Sequence, residues 1–328
     1  MQEDQFKRKL EMLEREFADC YGLYNGKTGL AISWFLMGSL TDNQYYSDKG
    51  QFLLDELGDN ILKVKGTSFH EGLAGVGWGI EWLVQNNFIS ANTDDILSDL
   101  DDELYKTVVY EKSPNISLYD GTIGKAMYFY KRWFAKNPDT PRSRIICNEE
   151  CLILLTDEIS EALDKSYNDD HLKLEESRGD YLISICQALI FLCKLRDCKI
   201  NLEVAAKSIC QGIAVLEAEF ENYESADIPN PEYIIYLIYA YLNVGLKLKD
   251  RAIERRAKKL LLCHQSRDKP YLLKPHHVYV ENKLLHSVSK GYDGNYQQMI
   301  GHGNFKMLCE ITMSSKFQMK SWDEAWIL

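Results

Sequence analysis

The chain has 328 residues, 45% of them hydrophobic, enough for one large core or two modest ones. Thirty-eight basic residues against 49 acidic ones leave a net charge of −11, and so acidic a chain repels phosphate backbones, which argues against nucleic acid as a partner. No apolar run approaches the roughly 20 residues that cross a bilayer, and the N-terminal MQEDQFKRKLEMLERE lacks a signal-peptide core.

A cytoplasmic protein is expected on these grounds. The nine cysteines fit that setting. Cys151, Cys186, Cys193, Cys210 and Cys309 stand inside apolar helical runs, where a free thiol behaves as a small buried hydrophobe. An odd count without a CxxC pair points to reduced thiols.

Two kinds of segment alternate along the chain. Phe6, Leu10, Leu13 and Phe17 step by 4, 3 and 4, drawing one apolar stripe down a helix. LAISWFLMG (30–38) is then apolar nearly all round. A second striped segment at 47–63 precedes a second apolar one, VGWGIEWLV (76–84). Leu97, Leu100, Leu104 and Val108 form the third stripe, capped by Asn92 or Thr93, and the acidic run 94–103 reads as its solvated face. IGKAMYFYKRWF (123–134) follows. Leu152, Leu155, Ile159 and Leu163 come after Asn148, then YLISICQALIFLC (181–193). Leu202, Ala206, Ile209, Ile213, Leu216 and Phe220 come after Asn201, then EYIIYLIYAYL (232–242). The last stripe, 249–263, carries a basic outer face of Arg251, Arg255, Arg256, Lys258 and Lys259.

A helix that is apolar on every side must be surrounded by protein. Pairing each with the striped helix before it gives six hairpins, at about 4–38, 47–87, 93–135, 147–196, 201–245 and 249–314. Striped helices then form an outer ring and apolar ones an inner ring. The expected fold is a single all-α domain over 1–328, an (α/α)6 toroid of six helical hairpins. An insertion at about 265–300 contains Pro270, Pro275, His276, His277 and a GYDG turn, and reads as a lid.

A tetrapeptide marks the inner-helix starts. Gly26-Lys-Thr-Gly29, Gly72-Leu-Ala-Gly75 and Gly121-Thr-Ile-Gly124 are spaced by 46 and 49 residues, the length of a helix pair. Each follows a ring-bearing residue and a polar one: Tyr24-Asn25, His70-Glu71 and Tyr119-Asp120. The fourth start has only Arg178-Gly179-Asp180, and the fifth has Asp227-Ile-Pro-Asn-Pro231.

LYNGKTGLAISWFL, HEGLAGVGWGIEWL and YDGTIGKAMYFY resemble the glycine-rich inner-helix starts of the lanthionine synthetase C-like family. The resemblance implies a double-layered α-toroid. In the family's cyclases it also implies a zinc held by two cysteines and a histidine, which activates a peptide thiol for addition to a dehydrated Ser or Thr. Here the fifth turn, SADIPNPEY (225–233), has neither Cys nor His, and Gly301-His302-Gly303 keeps only the histidine of the sixth. Ser117 stands where the family commonly has an acid/base Asp. The expectation is therefore no metal site, with zinc not favoured as a cofactor.

On this reading the candidate catalytic residues are His302, His70 and Asp120, and the candidate substrate-binding residues are Tyr24, Asn25, Glu71, Tyr119, Arg178 and Asp180. The expected partner is a peptide substrate or a partner modification enzyme, met either in binding alone or in altered peptide-modifying chemistry. Two alternatives stay open. One is an active thioether cyclase whose metal is displaced to Cys263-His264. The other is a carbohydrate-active (α/α)6 enzyme using Asp120 with Glu71 or Asp180.

Overall fold

The computed structural model describes residues 2–113, 115–168, 175–225 and 233–266. These residues form twelve α-helices and no strand. They divide into two compact units, with the boundary after Leu155.

In the first unit, three inner helices are α2 (Lys27–Thr41), α4 (Leu73–Gln85) and α7 (Thr122–Trp133). Around them lie α1 (Gln2–Glu16), α3 (Gln44–Asp59), the single turn α5 (Thr93–Ile96), α6 (Ser98–Tyr110) and the first part of α8 (Arg142–Asn168). The alternation of apolar and striped segments is thus realised as alternating helices. α2 packs on α1, α3 and α4, and α4 packs in turn on α6 and α7. Every residue from Lys27 to Gly38 is buried, as an all-round apolar helix requires. Tyr21, Leu57, Val76, Leu97 and Leu100 form one core cluster, which joins striped helices to the apolar α4.

Two local expectations are corrected. The fourth hairpin does not open at about 147: α8 starts at Arg142, just after Pro141, and Asn148 is buried within it. Proline is well suited to a helix start. The acidic run 94–103 is not simply a solvated face. Asp101 is 2% exposed, because the buried Arg132 of α7 needs its charge.

All five guanidinium N–H groups of Arg132 are used. Nε donates to Asp101 Oδ1 at 3.0 Å. Nη1 donates to Glu81 Oε2 and Thr93 Oγ1, both at 2.8 Å. Nη2 donates to Asp94 Oδ1 and Asp101 Oδ2, also at 2.8 Å. The Tyr128 hydroxyl adds a donor to Asp101 Oδ1, and Arg144 lies 3.0 Å from Oδ2. Thr140 and Asn137, on the connection to α8, bond to Asp94 and Thr93. One cation therefore ties α4, α5, α6 and α7 together, and leaves no buried donor of its own unpaired.

The second unit holds the rest of α8 with α9 (Glu175–Cys198), α10 (Leu202–Ser225), α11 (Ile234–Leu248) and α12 (Arg251–Ser266). α9 packs on α10 and α11, and α11 packs on α12. α11 is buried along nearly its whole length. Polar ties run outside this core: Lys207 reaches Asp164 at 2.9 Å, Asn201 donates to Asp157, and the Tyr241 hydroxyl donates to Glu217 at 2.6 Å.

Candidate functional site

Three equivalent turns lead into α2, α4 and α7, and they share one backbone scheme. The residue after the first glycine donates its N–H to the carbonyl seven positions back: Lys27 to Cys20, Leu73 to Gly66, and Thr122 to Asn115. Each turn then joins the next. Leu23 and Tyr24 both donate to the His70 carbonyl, at 3.1 Å. Phe69 and His70 both donate to the Tyr119 carbonyl, at 2.9 and 3.0 Å. The three turns are a relay in which one carbonyl receives two amides from its neighbour.

The second glycine of the tetrapeptide is what permits this stacking. A Cβ on Gly75 would lie 2.0 Å from the Phe69 carbonyl oxygen and 3.0 Å from Leu23 Cβ. On Gly124 it would lie 2.3 Å from the Leu118 oxygen and 2.6 Å from Phe69 Cβ. In both places the helix start is pressed on its own turn and on the turn before, so only hydrogen fits.

The relay fixes three ring-bearing side chains side by side. Tyr24 and His70 have ring centroids 4.8 Å apart, Tyr24 and Tyr119 5.1 Å, and His70 and Tyr119 5.9 Å. Tyr24 is buried, whereas Tyr119 is 39% exposed and the His70 side chain 29% exposed. Asn25 Nδ2 lies 3.5 Å from His70 Nε2, and Glu71 Oε1 lies 3.5 Å from His70 Nδ1. Glu71 and Asp120 are exposed, each immediately before the glycine that opens its helix, where a carboxylate also complements the positive end of the helix. Tyr24, Asn25, His70, Glu71, Tyr119 and Asp120 are thus gathered on adjoining turns.

Ser68 and Ser117, absent from the sequence-based set, shape those turns. Ser68 Oγ accepts from the amides of Glu71 and Gly72, and Ser117 Oγ accepts from Asp120 N. Ser117 also donates to Asn115 Oδ1 at 2.7 Å, so it acts as a turn former. A serine four residues before each of these glycines was the available signal.

Arg178 and Asp180 were expected in the turn before the fourth inner helix. Both fall instead within α9, which begins at Glu175. Asp180 is exposed, and its carbonyl accepts from Ser184 Oγ in ordinary helical fashion. The Arg178 side chain and His302 lie outside the described residues, as do Pro231 and the 267–300 part of the insertion. Cys263 and His264 occupy the last turn of α12, the histidine buried and the cysteine half-buried. Among the described residues no three His, Cys, Asp or Glu side chains are grouped to hold a metal ion.

No protein-family model matches the chain, and no curated protein matches it in sequence. In structure it is similar to a solved chain named nisin cyclase, at 13% sequence identity and a TM-score of 0.66, covering 98% of this chain and 96% of that one. The likeness extends over nearly the whole length of both chains and shows the fold: all-α, of the lanthionine synthetase C-like (α/α)6 toroid class.

Proposed function

We propose that this chain binds a peptide in a peptide-maturation process, does so without zinc, and meets it at the rim formed by the three turns. The observation that carries the reading is the Tyr24–His70–Tyr119 ring cluster, flanked by Asn25, Glu71 and Asp120. Partly exposed rings beside polar groups suit a peptide, whose side chains pack on the rings while its amides bond to the polar neighbours. The fold shared with a protein named for cyclising nisin supports peptide as the ligand class.

The zinc of the resemblance does not fit the donor set. Even an open catalytic zinc keeps about three protein ligands. Residues 225–233 offer no Cys or His, and residues 301–303 offer only His302. Without a metal, a peptide thiol keeps a pKa near about 8.5 and stays mostly protonated at neutral pH. Thioether closure by thiol addition is then slow.

A second reading, modification by altered chemistry, draws on His70. Glu71 stands beside one ring nitrogen and Asn25 beside the other, as an orienting acid and a polar neighbour would around a general base.

The test uses a peptide bearing one cysteine and one dehydroalanine. Calorimetry is expected to show binding that falls about tenfold or more when Tyr119 and His70 are both replaced by Ala. The bound peptide's thiol should remain open to alkylation, and elemental analysis of protein purified without chelator should show no stoichiometric zinc. One zinc per chain together with a thiol lost to alkylation would restore the cyclase. Unchanged binding in the double variant would remove the rim from the account.

A further inference from the structure

The stretch from Lys247 to Lys259 holds seven basic residues (Lys247, Lys249, Arg251, Arg255, Arg256, Lys258 and Lys259) and two acidic ones, Asp250 and Glu254. That is a local charge of +5 within 13 residues of a chain whose total is −11. Two of the seven are engaged: Lys247 with Asp197, and Arg256 with Glu217 at 3.8 Å. Among the described residues no ion pair forms at Lys249, Arg251, Arg255, Lys258 or Lys259. Arg251, Arg255 and Lys259 are exposed at steps of four, and Leu262, 64% exposed, continues their line. They share one face of α12.

Helix stability does not account for this face. Arg251 stands in the first turn of α12, where the macrodipole disfavours a cation. Like charges four residues apart, as at 251/255 and 255/259, also work against a helix. Asp250 relieves only the start, its carboxylate accepting from the amides of Ala252 and Ile253. The inner side of the helix is fully served without these charges, since Ala257, Leu260 and Leu261 are buried.

We infer that the outer face of α12 docks an acidic segment of a polypeptide, at a site separate from the three-turn rim. Four helical residues advance about 6 Å, so Arg251, Arg255 and Lys259 present charges at about that interval. An extended peptide repeats a given face every second residue, about 6.6 Å. Carboxylates at alternate positions of an extended segment therefore meet successive cations, and an apolar residue beyond them meets Leu262. The occupant is polypeptide rather than nucleic acid because a long polyanion must also pass the rest of a strongly acidic surface. A short segment interacts only locally, within a Debye length of about 8 Å at physiological salt. It is polypeptide rather than an anionic membrane because the face carries a single large exposed apolar side chain, Leu262, where a membrane-binding helix carries an apolar side.

The experiment measures fluorescence anisotropy of the full chain with a labelled peptide carrying Glu at every second position and a Leu at one end. The same peptide with Gln for Glu, a labelled DNA duplex, and phosphatidylglycerol vesicles complete the set. The Glu peptide is expected to bind at least about tenfold more tightly than the Gln peptide. Arg255→Glu with Lys259→Glu should abolish that preference, Arg255→Gln with Lys259→Gln should halve it or more, and circular dichroism should show unchanged helix. Tyr119→Ala should leave it intact, which separates this site from the rim. Equal binding of the Glu and Gln peptides, or a preference that survives charge reversal, overturns the inference. So does tighter binding of the DNA or the vesicles than of the Glu peptide.

Discussion

Arg132 shows how one side chain can hold several helices, and its replacement should be correspondingly costly. Alanine would leave Glu81 buried without its cation and Asp101 with Arg144 alone, a loss of about 3–5 kcal/mol where one partner of a buried network is removed. Urea denaturation of Arg132→Ala checks this, and a change below about 1 kcal/mol would show that the carboxylates relax to water. Asp94 gives a pH-dependent counterpart. Burial works to raise its pKa, but hydrogen bonds from Thr140 and Arg132 and the Arg132 charge outweigh it and hold the carboxyl below its usual range. A group depressed in the folded state stabilises above its unfolded pKa of about 3.9, and that contribution fades as pH falls through the lower folded value. The stability gap between the wild type and Asp94→Asn should therefore be full at neutral pH and close under acid, read from urea midpoints at each pH. This network was only faintly legible beforehand. Its signal was a lone Glu81 in VGWGIEWLV and the basic pair Lys131-Arg132 in IGKAMYFYKRWF, charges of opposite sign inside segments that must be surrounded by protein. Periodicity alone cannot say that two such charges meet, because that depends on how helices 51 residues apart are set beside each other.

Among elements, the helix starts give the sharpest contrast. Gly124→Ala would press a methyl group on the Leu118 carbonyl and on Phe69 and should destabilise by about 1–3 kcal/mol. Gly58→Ala, at an exposed position of α3 with open space around it, should stabilise by up to about 1 kcal/mol through reduced freedom of the unfolded chain. Thermal melts of the two variants should move in opposite directions, and a shared direction would contradict the crowding at Gly124. The three tetrapeptides were readable because their spacing matched a helix pair, and the structure places all three where inner helices open. Arg178-Gly179-Asp180 misled for a related reason. A single glycine after a polar residue looks like a worn copy of the turn, yet helical residues around it carry the chain straight through.

For the molecule as a whole, the alternation of striped and apolar segments carried the fold class, since it depends only on which faces need covering. Individual exposures were less legible. Cys210 was expected to be buried and is exposed, because its α10 helix turns that side to water, and Cys309 lies outside the described residues. Burial raises the thiols of Cys151 and Cys186 well above the usual range and pushes Cys193 up to about 11. Native protein treated with a thiol reagent at neutral pH should thus react first at Cys20 and Cys210, while these three resist until denaturation. Mass mapping of the labelled sites decides it, and early labelling of Cys186 would contradict the packing of α9. The relay of the three turns has a wider consequence. Its hydrogen bonds are made by main-chain groups and its crowding is met by glycine, so the relay itself does not depend on the side chains of the two residues before each opening glycine. Tyr24-Asn25, His70-Glu71 and Tyr119-Asp120 occupy the same scaffold with different chemistry. Inheritance can therefore change the chemistry this rim displays, one pair at a time, while the main-chain frame that displays it stands unaltered.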